Sequence, residues 1–99
     1  MTIKLPPVHP GEILREEFMV PLGLSSNALA RAIGVTPARI HDIASEKRGI
    51  TADSALRLSR YFGTTPEVWL NLQKRFELDV AMNKLGNKLS DISPMVAEH

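Results

Sequence analysis

Apolar residues recur along most of this chain at helical spacing, and nowhere do they alternate with polar residues convincingly enough for a strand. Pro10 offers a fixed φ at a first helical position, and Glu12 follows where a carboxylate suits the helix dipole. Leu14 and Phe18, four apart, form an apolar face with Ile13, and Pro21 and Gly23 close this first helix. Ser25 is a natural N-cap for a second helix with Leu29, Ala30 and Ile33 inside, which Gly34 stops. Thr36 caps a third helix that begins at Pro37 and turns Ile40 and Ile43 inward. After a polar, basic loop from Glu46 to Ile50, Thr51 caps a fourth helix with a stripe of Ala52, Ala55, Leu58 and Phe62, ended by Gly63. Thr65 and Pro66 start a fifth, with Trp69, Leu72, Phe76 and Val80 on one face.

These elements predict one all-α domain over residues 9–85, preceded by an extended segment at 1–8 and followed by a loose polar tail at 86–99. At 99 residues, the chain can bury a modest core without staples. It has no cysteine, which excludes disulfides and thiolate metal sites and suits a reducing compartment. No secretory pattern opens it and no apolar run approaches the roughly 18 residues of a membrane span, so a soluble, cytoplasmic protein is expected. The net charge of +1 gives almost no support for nucleic-acid binding by itself. Any such function must come from where the charges sit.

The segment Ser25–Ile43 carries the strongest functional signal. Two helices joined by a tight turn at a steep angle need a small residue where they cross and a flexible residue at the turn. Ala30 and Gly34 supply these, and Leu29, Ile33, Val35, Ile40 and Ile43 hold the pair to a core. Thr36 and Pro37 then launch the second helix with its N-terminus outward. This presents Pro37, Ala38, Arg39, His41 and Asp42 on an open face, where the N-terminal residues of a recognition helix touch base edges. Ser25 and Ser26 stand at the N-terminus of the preceding helix, where backbone N–H groups can meet phosphate. Lys47 and Arg48, in the following loop, are phosphate candidates. Arg39 can either grip guanine with both arms or bridge phosphate. Asp42 is expected to hold Arg39 through an i, i+3 pairing or to accept from cytosine.

The chain also resembles the HigA (VapI-like) antitoxin family, within the XRE-type repressors related to lambda and other phage repressors. The resemblance runs from His9 to about Ala81. It lies in His9-Pro10-Gly11-Glu12-Ile13-Leu14, Leu22-Gly23-Leu24-Ser25, Lys47-Arg48-Gly49-Ile50-Thr51-Ala52-Asp53, Arg60-Tyr61-Phe62-Gly63 and, most specifically, Trp69-Leu70-Asn71-Leu72-Gln73. It implies a five-helix domain, a homodimer, binding to the operator of its own operon, and neutralisation of a partner toxin, usually a HigB-type ribosome-dependent mRNA endonuclease. Two positions depart from the family pattern. Ser26 stands where such repressors often hold a longer glutamine that contacts phosphate. Ser45-Glu46 replaces a frequent Asn-Gly, and a glutamate tolerates positive φ poorly, so the third helix is expected to end differently, with this charge facing the phosphate side.

His9, His41 and His99 have no metal-site spacing, and neither they nor Ser25 and Ser26 form a nucleophile arrangement. No cofactor, metal or enzymatic activity is expected. A free-standing transcriptional regulator without a toxin, and a protein-interaction module that has lost DNA binding, are the alternatives to the antitoxin.

Overall fold

The computed structural model describes residues 6–95 of the chain, all helix and connecting loop with no strand among them. Residues 1–5 of the expected extended segment, and Val96 to His99 of the tail, lie outside the described residues. Five helices follow one another: α1 at residues 10–22, α2 at Ser26–Ile33, α3 at Pro37–Ala44, α4 at Ala52–Phe62 and α5 at Pro66–Leu85, with a 3-10 turn at Gly86–Lys88.

Local chemistry sets most of these ends. Ser25, Thr36, Thr51 and Thr65 each have extended backbone and accept the N–H three residues on, from Ala28, Arg39, Ser54 and Val68. Pro37 and Pro66 open α3 and α5, where the missing N–H costs nothing. Gly34 and Gly63 close α2 and α4 at φ +76° and +74°, a left-handed backbone that side chains resist.

Helix α1 is less regular. It is α-helical at Pro10–Ile13, π-helical at Leu14–Met19 and α-helical again at Val20–Leu22, and the Val20 N–H reaches back to the Arg15 carbonyl. Pro21 follows at once; it has no N–H to donate and its ring crowds the carbonyl four residues back, so the wider winding sits where a regular α turn is disfavoured.

The core is built around Trp69, with Leu14, Leu29, Ile40, Ile43 and Leu58 also fully buried. Phe18 packs on Phe62 and Trp69 at centroid distances of 4.7 and 5.2 Å, and the Trp69 indole N–H donates to Thr64 Oγ1 at 2.9 Å. This ties α1, α4 and α5 together beneath the α2–α3 pair. Two parts of the expected apolar pattern are corrected. Ala52 is exposed, because the fourth helix turns Ser54, Ala55, Leu58 and Ser59 inward instead. The α5 stripe fades after Phe76, since Val80 has left the body of the domain and is 41% exposed. Residues 81–95 are all exposed, and the molecule measures 56 × 28 × 20 Å, elongated by this projection.

Candidate nucleic-acid interface

The α2–α3 pair has the local construction of a helix-turn-helix. Ala30 is completely buried beside Leu29, and the N–H groups of both Gly34 and Val35 bond the Ala30 carbonyl, at 2.9 and 3.0 Å. The turn therefore folds back on the residue at the crossing. Ile40 and Ile43 anchor the inner side of α3. Its outer side carries Pro37, Ala38 and His41, all exposed, with Arg39 and Asp42 half-buried.

Each candidate residue has a definite setting. Ser25 and Thr36 are spent as N-caps, leaving their helices' remaining first-turn N–H groups for a ligand. Ser26 is half-buried in the first turn of α2. Lys47 and Arg48 are exposed in the turn after α3, and both donate their backbone N–H to the Asp42 carbonyl, at 2.8 and 3.1 Å. That pair of bonds holds the basic turn against the end of α3.

The expected pairing of Asp42 with Arg39 is not formed. Asp42 lies 3.6 Å from Arg48, and Arg39 donates instead to Asp53 at 2.7 Å, fourteen residues away. An i, i+3 rule sees only one helix; here the loop after α3 brings the first turn of α4 back alongside it. Asp53 also accepts from Arg57 Nε at 2.8 Å, and Arg57 in turn donates to the carbonyls of Ile33 and Gly34 at the turn, at 2.8 and 3.2 Å. These two arginines hold the Asp53 carboxyl below its usual range, the Arg39 hydrogen bond being the larger cause. Sequence reasoning missed Asp53 and Arg57. Their own i, i+4 spacing was a readable signal for their pairing with each other, though not for Arg39.

Glu46 is a second correction. It stands at φ +68° directly after the Ser45 cap, so a glutamate does occupy the left-handed position. Its carboxylate lies 3.5 Å from Arg15 of α1, while Arg15 also donates to the Ala44 carbonyl at the end of α3. The charge expected to face phosphate thus lies toward an arginine, which it shares with the closer Glu16, 2.8 Å from Arg15. Below it, Gln73 of α5 accepts the Ile50 N–H at 2.7 Å and fixes the loop that leads from the basic turn into α4.

This geometry has close counterparts. Residues 14–69 match the helix-turn-helix family. Virulence-associated protein I of Dichelobacter nodosus is 56% identical over 78 residues, covering 79% of this chain and 72% of that protein. The chain belongs to the XRE-type helix-turn-helix family, among the HigA antitoxins and VapI-like proteins. One solved HigA, the Pseudomonas aeruginosa antitoxin with the higBA promoter, superimposes with a TM-score of 0.86 at 45% identity, covering 91% of this chain and 99% of that one. The antitoxin GraA in complex with its operator gives a TM-score of 0.87 at 46% identity, over 98% and 99%. The HigA resemblance read from the sequence between His9 and about Ala81 thus has a structural counterpart that covers 91% of the chain. Among the described residues, no helix is long and apolar enough to cross a membrane.

Proposed function

We propose that this chain is the antitoxin of a type II toxin–antitoxin pair, a cytoplasmic protein that binds operator DNA as a homodimer, represses its own operon and neutralises a HigB-type mRNA endonuclease. The observation that carries the DNA-binding part is the exposed outer face of α3, and it is supported by a fold matched over nine-tenths of the chain or more, at 45–46% identity, by relatives solved on a promoter and on an operator. In this reading Arg39 reads a base edge, Ala38 offers an apolar contact to a thymine methyl, and His41 and Asp42 lie along the same groove. Ser25, Ser26 and Thr36 bring helix N-termini to phosphate, and Pro37 lets α3 enter close to the groove floor. Lys47 and Arg48 grip the backbone.

Dimerisation is supported by two things. A single recognition helix makes few base contacts, so specific affinity calls for two half-sites about 34 Å apart. And α5 runs out of the domain with Leu78, Met82 and Leu85 between 40 and 50% exposed at i, i+4, i+7 spacing, an apolar seam that one chain leaves uncovered. Residues 1–8 and the tail from Gly86 are the proposed toxin contacts; of these, residues 86–95 are all exposed.

The toxin half rests on family membership. Expressing the neighbouring small gene alone should arrest growth, and co-expressing this chain should relieve the arrest and yield a co-purifying complex. If no adjacent product is toxic and none co-purifies, the chain is a free-standing regulator.

A further inference from the structure

The Arg39–Asp53–Arg57 cluster is more elaborate than a surface ion pair needs to be. One oxygen, Asp53 Oδ1, accepts from Arg39 Nη1 at 2.7 Å and from Arg57 Nε at 2.8 Å. Arg57 is itself fixed by the carbonyls of Ile33, the last residue of α2, and Gly34, the first of the turn. Asp53 is therefore held from the turn side and holds Arg39 on the other. Arg39 uses only Nη1 in this bond, so its Nε and Nη2 donors stay available as a fork.

A carboxylate on this face has an electrostatic cost. It sits among groups that would approach a polyanion, and it neutralises a cation that could otherwise bind phosphate. A residue there that served affinity alone would be neutral or basic. What Asp53 supplies is direction: an arginine loses much rotamer freedom when it grips a base, and bracing it beforehand removes part of that loss.

We propose that Asp53 is a positioning residue that aims the Arg39 guanidinium at a base edge, trading non-specific affinity for sequence discrimination. This rests on α3 being the recognition helix. Asp53 touches no DNA in this role; it acts through Arg39.

The test is fluorescence anisotropy on the duplex upstream of the chain's own gene and on a scrambled duplex of equal length, across a salt series. The proteins are the full-length wild type, Asp53→Ala, Asp53→Asn, Arg39→Ala and the Asp53→Ala/Arg39→Ala double variant. Asp53→Ala should weaken operator binding about 5-fold or more, within the range of one bidentate arginine–guanine contact, while scrambled binding stays equal or tightens. Asp53→Asn carries the same charge as alanine but keeps an oxygen acceptor, so it should recover part of the operator affinity. The double variant should bind operator no more weakly than Arg39→Ala.

Equal weakening or equal tightening of both duplexes by Asp53→Ala would overturn the proposal, as would additivity in the double variant or an Asparagine variant no better than alanine. An Asp53→Ala chain that no longer folds, by circular dichroism, would make the carboxylate a structural tie and overturn it too. The underlying reading fails separately: then the wild type does not distinguish the duplexes, or Arg39→Ala leaves both affinities unchanged.

Discussion

His9 Nδ1 accepts the backbone N–H of Gly11 at 2.8 Å, capping α1, while the same ring meets Phe76 of α5 edge-on at a centroid distance of 4.8 Å. Only neutral imidazole can do this, because a protonated Nδ1 would face the N–H donor to donor. Burial lowers the His9 pKa from its ordinary value, and nearby Glu46 opposes the shift only in part. The unfolded chain therefore takes up this proton first. Stability is complete above about pH 6.5, the ordinary histidine value, and falls as the pH drops toward the lower folded value. The melting temperature should decline between pH 7.5 and 5.5. His9→Asn keeps a side-chain acceptor without titrating and should flatten that decline; an unchanged slope would remove His9 as its cause.

Gly11 lies against the end of α3. A Cβ there would collide with the Ile43 carbonyl oxygen, which is backbone and cannot swing away. Gly11→Ala should destabilise by about 1–3 kcal/mol, the usual range for overpacking. Urea denaturation measures it, and a loss under 0.5 kcal/mol would mean that α1 can slide on α3.

Glu46 provides a backbone test. Both Glu46→Gly and Glu46→Ala remove the ion pair to Arg15, but only glycine relieves the left-handed backbone at φ +68°. Glycine should be the more stable of the two by about 1 kcal/mol, since a side chain costs roughly that much there. Equal stability would show that the turn rearranges in the variants.

The pattern of what could be read in the sequence follows from range. Caps at Ser25, Thr36, Thr51 and Thr65, stops at Gly34 and Gly63, and the inward faces of α2 and α3 depend on residues within four positions, so local rules reach them. The His9 cap is just as local, but imidazole is an uncommon cap and went unread. The Arg39–Asp53 bond and the Arg15–Glu46 pair span 14 and 31 residues. Nothing at either end of such a pair signals its partner; tertiary packing chooses it. The π-helical stretch of α1 was hidden for a related reason, because Leu14 and Phe18 keep an i, i+4 spacing that reads as an ordinary α face.

The exposed seam on α5 makes the oligomeric state a direct prediction. Leu78→Glu with Leu85→Glu places charges on a surface that is 50% and 40% exposed in one chain, so the fold should survive. Light scattering should give a dimer for the wild type and a monomer for the double variant, with operator affinity lost alongside. A wild-type monomer at high micromolar concentration, with and without DNA, would contradict the two-half-site arrangement.

The most direct measurement is a salt titration of binding to operator and scrambled duplex for Arg39→Ala beside Lys47→Ala. Arg39→Ala should cost about 1–3 kcal/mol on the operator and relax selectivity at one base pair. Lys47→Ala should weaken both duplexes alike and lower the salt slope by about one unit. If Arg39→Ala leaves both affinities unchanged while circular dichroism shows an intact fold, α3 is not the helix that reads DNA.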